Sequence, residues 1–278
     1  MSNISEEQAN SLVQLKEWLK GQPHLPQNLD EHLLLRFAHS CYYDMDKAKT
    51  TVETFFTMRN TCSDLLTNRD PNSHHMQKIL KVINLGQYVL SDNRCLWLWQ
   101  INDPGLESYD YTLDAKLFFL STDAFFLSDR HLYESDVVLM DVKDISLKFV
   151  TKMNLSVARK LAKYQEDAIP IRLKQVHVIN APSVIDKIYG VLKPFMKKEN
   201  TEMIHFHSPK SETLYKYIKK EDLPEDYGGS KPSMAELTEN SLELIMNNRE
   251  QLLDENLWRL KKNEPSTEVG SFRKLAID

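Results

Sequence analysis

His205 and His207 stand two residues apart in an apolar stretch, a spacing that in a strand turns both imidazoles to one face and could offer them to one metal ion. No third ligand accompanies them at a recognisable spacing, so they read as structural histidines, as do His74 and His75 at the start of a surface helix. Cys41, Cys62 and Cys95 are odd in number and far apart, and form neither a CxxC metal pair nor a disulfide framework. They read as free buried thiols in a reducing cytoplasm. With only seven glycines, the chain lacks GxGxxG, the GxxxxGK[ST] phosphate cradle and the GxSxG nucleophile elbow. No acid, base and nucleophile set occurs at a recognisable spacing, so the expectation is a protein that is not an enzyme and uses no cofactor or metal.

The chemistry that does stand out is apolar. Between residues 181 and 203, Pro182 suits a first helical turn, and Ile185, Ile188, Tyr189, Leu192, Phe195 and Met196 fall on one stripe. Lys187, Lys197 and Lys198 project from the opposite side, and Pro194 removes a backbone donor, so the helix is expected to kink or restart there. A greasy helix with a basic back and a built-in kink suits a lid over an apolar cavity that also touches membrane.

The elements that would position this lid alternate in type. Ser5 with Gln8 forms a capping box ahead of Leu12, Leu15, Trp18 and Leu19, and Gly21 with Pro23 stops that helix. A second helix is expected to start near Asn28, carrying Leu33, Leu34 and Phe37, and a third at Asp44, carrying Ala48, Val52, Phe55 and Phe56. After residue 90, the runs beginning at Cys95, Val137 and Val176 are short and apolar in the manner of buried strands. Helical periodicity separates them over residues 112 to 128 and 153 to 167. Strand and helix alternating in this way predicts a largely parallel sheet with helical crossovers. A polar, helix-prone tail runs from Ser233 to about Leu260, and the last 15 residues are expected to fray.

The totals agree with this plan. The 278 residues are 41% hydrophobic and 27% charged, which is ordinary globular composition. The balance of 35 Lys and Arg against 40 Asp and Glu provides no global positive field for nucleic acid. The amino end has no signal-peptide pattern, Ser2 replaces the glycine needed for myristoylation, and the apolar runs fall far short of the ~20 residues of a spanning helix. The expectation is a soluble cytoplasmic protein.

Several ordered segments together resemble the CRAL-TRIO family of lipid-binding proteins. They are Leu34-Leu-Arg-Phe followed by Asp44 and Ala48, then Ile169-Pro-Ile-Arg, Val176-His-Val-Ile-Asn-Ala-Pro, Lys193-Pro-Phe, Ile204-His-Phe-His and Leu223-Pro-Glu-Asp-Tyr-Gly-Gly. They cover residues 30 to 235 in the family's order and approximate spacing. The resemblance implies an α/β fold: an N-terminal helical domain over 1–88, a CRAL-TRIO sandwich over 89–232 whose mainly parallel sheet floors a lipid pocket under a mobile gate helix, and a helical tail over 233–278. The stripe from Ile185 to Met196 falls on that gate.

On this reading, Met140 and Val176 belong to the pocket's floor, and the resembling segments add Phe118, Met153, Leu161 and Ile169 to its wall. Thr122 and Gln165 are candidate polar contacts. The partners expected are one hydrophobic lipid and, transiently, a membrane surface, with no nucleic acid and with any protein partner unnamed. Phospholipid exchange and lipid-sensing adaptor function are the alternatives. Lys193 matches the family's headgroup lysine, whereas Ile171 replaces the acidic residue that accompanies it in phosphatidylinositol carriers. The tocopherol and retinaldehyde carriers use a basic phosphoinositide cleft, and of that set Arg172 survives. His39, Cys41, Glu199 and Met203 occupy its other positions, with Lys197 and Lys198 in partial compensation.

Overall fold

A computed structural model describes residues 5–260. The amino-terminal residues read for targeting motifs and the carboxy-terminal stretch expected to fray lie outside the described residues. The chain opens with α1 (Glu6–Lys20), α2 (Glu31–Ser40) and α3 (Met45–Thr61), followed by the short α4 (Ser63–Leu66) and α5 (His74–Ile79). The Ser5 and Gln8 capping box forms reciprocally, and Asp44 caps α3 by accepting from the Lys47 amide. The second helix starts later than the sequence suggested. Its cap is Asp30, whose carboxylate accepts from the amides of His32 and Leu33.

Five strands follow in the order β1 (Ile83–Val89), β2 (Cys95–Ile101), β3 (Asp136–Asp141), β4 (Leu173–Ile179) and β5 (Ile204–Phe206), and they are neighbours in that same order across the sheet. All pairs are parallel except β1 with β2. The first strand escaped the sequence reading, because Asn84, Gly86 and Gln87 interrupt its apolar pattern. It runs through position 88, the limit proposed for the first domain. Between β2 and β3 lies α6 (Tyr111–Ser128), and between β3 and β4 lie α7 (Lys148–Lys152) and α8 (Leu155–Asp167). The β4 to β5 connection holds α9 (Ile185–Leu192), a 3₁₀ turn at Lys193–Phe195 and α10 (Lys198–Glu202). The expected break at Pro194 is that 3₁₀ turn.

The described residues close with α11 (Met234–Asn247), α12 (Arg249–Leu253) and α13 (Glu255–Trp258). The tail is not peripheral. A Cβ on Gly86 would lie 2.8 Å from Leu237 Cβ, so glycine lets α11 close directly onto β1. Gly228 takes a left-handed conformation, and a Cβ on Gly229 would meet the Leu223 carbonyl, so the double glycine is the turn into α11.

One buried knot joins these parts. Arg59 of α3 and Arg69 both bind the carboxylate of Asp123 on α6, and all three side chains are essentially inaccessible. Arg59 Nη2 also donates to the Tyr164 hydroxyl of α8 at 2.8 Å, and Arg69 Nη2 donates to the Leu252 carbonyl of α12 at 2.9 Å. Burial opposes the charge of Arg59, but Asp123 more than compensates and its pKa is raised. The guanidinium lies 4.0 Å from the Phe55 ring centroid and 4.9 Å from that of Trp258. Asp123→Ala strands two buried cations and is expected to lower unfolding free energy by about 3–5 kcal/mol in urea titrations. A loss below about 1 kcal/mol would contradict this account of how these helices are held to one another.

Candidate functional site

The two faces of the sheet are buried to different extents. On one, Leu96, Leu98, Val137, Leu139 and Ile179 are all buried beneath Leu214, Ile218, Leu223, Met234 and Leu237. The other carries two cross-strand rows, Trp97–Val138–Val176–Ile204 and Trp99–Met140–Val178–Phe206. Apart from Val178 and the exposed Phe206, these residues are only partly buried, even on the central strand β3. Central strands of a sheet covered by helices on both faces are ordinarily closed off, so residual accessibility there marks incompletely filled space under the helices.

Phe118, Met153, Leu161 and Ile185 pack with Met140 and Val176 as partly buried members of the core on this face. Ile169 and Ile188 are buried at 8% and 2% exposure, in tight contact rather than on open surface. Tyr189, Leu192 and Met196 are partly buried. The stripe therefore faces the protein, while Lys187, Lys193, Lys197 and Lys198 are exposed on the opposite side. Two sequence-derived polar contacts need correction. The Thr122 hydroxyl donates to the Phe118 and Phe119 carbonyls of its own helix, which occupies its proton, and Gln165 is exposed.

A different polar group lies on this face. Asp114, on the first turn of α6, accepts from Trp99 Nε1 at 3.0 Å and from the Tyr109 hydroxyl at 2.6 Å. Burial lifts its pKa to about 6, and the two donors oppose that rise. The sequence signal was available, since Asp114 precedes Phe118 by one helical turn, but a first-turn Asp is ordinarily read as favourable helix-end chemistry.

The segment over this space is fastened at its far end. The Lys197 amide donates to Glu166 Oε1 at 2.7 Å, its ammonium pairs with Asp167, and Arg159 lies 5.3 Å from the Phe195 ring centroid. Lys198 faces Glu202 at 3.9 Å. Of the family's basic cleft, Arg172 is already committed: Nε donates to the His39 carbonyl at 2.6 Å, and the guanidinium sits 4.2 Å from the Tyr42 ring centroid. Burial, more than the neighbouring Arg172, lowers the His39 pKa to about 4, so this imidazole is neutral at pH 7.

Behind the sheet, His177 of β4 meets His207 just beyond β5, with the two rings sharing a hydrogen between Nδ1 and Nε2 at 3.0 Å. His207 Nδ1 bonds Thr213 Oγ1 at 2.7 Å, and His205 stacks on His177. Among the described residues, no group of three or more His, Cys, Asp or Glu side chains is placed to hold a metal. The structural role expected for His205 and His207 thus includes His177, a partner on the neighbouring strand that spacing could not indicate. The open groove of about 620 Å³ lined by Glu6, Glu7, Asn10, Gln14 and Tyr43 is polar and distant from the sheet. Among the described residues, no helix is long and apolar enough to cross a membrane.

Comparison with known proteins agrees with this architecture. Residues 104–229 match the CRAL/TRIO domain, and residues 4–76 match the Pinta-like UBA domain. The alpha-tocopherol transfer protein-like protein of Homo sapiens is 26% identical over 225 residues, covering 80% of this chain and 65% of that protein. Clavesin-1 of Xenopus laevis is 25% identical over 208 residues, covering 73% and 62% respectively. The chain thus spans just under two thirds of the length of these relatives. The crystal structure of Sfh5 shares the fold with a TM-score of 0.50 at 15% identity, covering 90% of this chain and all of that one. Residues 104–229 thus carry a CRAL/TRIO domain, in a chain whose N-terminal helical region precedes a mostly parallel sheet.

The histidine cluster has a measurable consequence. Burial, with neighbouring His207 and His205 adding to it, holds the His177 pKa down to about 3. The unfolded chain then binds a proton that the native state does not, from about pH 6.5 downward, so stability contributed by neutral His177 is lost as pH falls. Between pH 6.5 and 5 the loss is expected to be about 2 kcal/mol, and His177→Gln should remove most of it. Parallel stability profiles for the two proteins over that interval would show that His177 is not held neutral.

Proposed function

We propose that this chain holds one hydrophobic lipid between the partly open sheet face and the α6, α8 and α9 layer, and exchanges it with membranes when the 185–202 segment lifts. The observation that carries this reading is that Trp97, Trp99, Val138 and Met140 keep accessible surface on central strands, although Phe125 and Phe118 of α6 pack against the two tryptophans. A cavity walled in this way takes its affinity from apolar area and its orientation from a few polar groups. The relatives' descriptions, one naming tocopherol transfer, are consistent with a lipid carrier and leave the lipid itself to be identified.

Removal of the lipid would expose an apolar lining, so exchange must place the gate against a surface that accepts both ligand and stripe. Exposed Lys187, Lys193 and Lys198 would bring that surface close if it is anionic, each contributing about 1 kcal/mol. Organic extracts of protein from its native source are expected to contain one dominant apolar lipid by mass spectrometry. Ile188→Asp places an unpaired carboxylate under the gate at a site 2% exposed and should abolish retention of that lipid. Undiminished binding by a folded Ile188→Asp variant would count against the pocket.

The commitments of Arg172 to His39 and Tyr42 bear on which membranes are recognised. Transfer to vesicles of matched charge should be similar with phosphatidylserine or a bisphosphorylated phosphoinositide, and should slow as salt rises. Arg172→Ala is expected to change either rate by less than about threefold, because weak surface electrostatics govern approach. A large isomer-specific acceleration that disappears in this variant would show an intact phosphoinositide cleft.

A further inference from the structure

The carboxylate of Asp114 is unusual in having no charge to answer it. Its two oxygens accept one hydrogen bond each, from Trp99 and Tyr109, which leaves acceptor capacity unused. No cation contributes to its environment, and the one charge that acts on it is Asp110, the N-cap of its helix, which repels it. From α7, Lys152 approaches only as far as the Tyr109 and Glu107 carbonyls, to which its ammonium donates at 2.9 and 3.4 Å. Tyr111 and Phe149 complete the surroundings with aromatic surface. An unpaired carboxylate in such a setting is costly to stability, and a perturbed group of this kind in a cleft is a candidate for function.

Its position relates it to the ligand space. Trp99, which holds Asp114 Oδ1, lies in the same cross-strand row as Met140, and Phe118 follows Asp114 by one helical turn with its ring 6.4 Å from that of Trp99. Asp114, Trp99, Phe118 and Met140 all retain accessible surface, although protein surrounds them. They form a contiguous patch in which Asp114 is the one charged group.

We propose that Asp114 is the specificity-determining acceptor of the pocket, and that the lipid it selects is a largely apolar molecule carrying a hydroxyl group, which donates a hydrogen bond to the carboxylate. This rests on the pocket reading above. An alcohol or phenol donates to the carboxylate. An ether or ketone of the same skeleton would present a lone pair to an anion and leave the carboxylate desolvated without a partner. Trp99 and Tyr109 are positioning residues that hold the carboxylate in place.

The test uses delipidated full-length protein and two pairs of radiolabelled probes, α-tocopherol with its methyl ether and cholesterol with cholestenone, partitioned from phosphatidylcholine vesicles. For each probe, binding to wild type is divided by binding to Asp114→Asn, which cancels differences in vesicle solubility. The alcohol's ratio is expected to exceed that of its partner by about tenfold at pH 7.5, as suits a hydrogen bond to an ionised group. As a second measurement needing no variant, lowering the pH of wild type from 7.5 to 5 protonates a carboxyl whose pKa is about 6. It should weaken alcohol binding and strengthen that of the ketone. Binding of both members of a pair with equal ratios and no pH response would overturn the role of Asp114 while leaving the pocket standing. Failure of all four probes to bind folded wild type would overturn this inference, whereas an extract of the native protein without a dominant apolar lipid would overturn the pocket.

Discussion

The arrangement depends on a single buried carboxylate. Asp123 receives both Arg59 and Arg69, and through their remaining donors it reaches Tyr164 and the Leu252 carbonyl. Four segments distant in sequence, from α3, the loop before α5, α8 and α12, are thereby referred to one point on α6. Such charges are expensive to desolvate, so they fix geometry more than they add stability. The consequence for the site is positional. Phe118 and Asp114 lie on the same helix as Asp123, so the knot that anchors α6 also holds these side chains against the sheet.

Around that anchor, the sheet's two faces serve different ends. The reverse face is filled by the 214–223 turns and α11, and Gly86 allows the helix to approach until little space remains. That close packing makes the sheet a rigid support, since dense interiors transmit displacement rather than absorb it. The opposite face keeps partly accessible residues on its central strands, and its tryptophans are oriented by side-chain acceptors: Trp97 donates to Asp136 at 2.9 Å and Trp99 to Asp114 at 3.0 Å. Tying the indole N–H groups to acids leaves their apolar ring surfaces for packing or ligand.

The 185–202 segment is built for partial attachment. Pro194 interrupts it, Lys197 fastens it to Glu166 and Asp167 at the exposed edge of α8, and the pair of Tyr189 with Phe206 ties α9 to the edge strand. Exposed ion pairs contribute little and are screened by salt, so this fastening is weak beside the knot at Asp123. Strong anchoring of α6 and weak anchoring of the 185–202 segment are what the proposed lifting of that segment would require.

The sequence by itself determined the alternation of helix and strand after residue 90, the capping of α1 and α3, the interruption at Pro194 and the inward stripe from Ile185 to Met196. These are local matters of periodicity, caps and missing donors, and they are decided within a turn or two of chain. The ordered motifs also pointed to the CRAL-TRIO fold, because a series of matches in order constrains topology as no single one does. Tertiary structure alone decided that β1 joins the sheet despite its polar interruptions, since α11 supplies the packing its own pattern lacks. It alone brought His177 to His207, Arg172 to Tyr42 and Asp123 to two arginines. It also showed the Thr122 hydroxyl bonded within its own helix, Gln165 exposed, and Asp114 held by Trp99 and Tyr109. A hydroxyl's availability depends on whether its helix has taken the proton, and a carboxylate's character depends on whether a cation reaches it; both are properties of three-dimensional neighbours that spacing along the chain does not record.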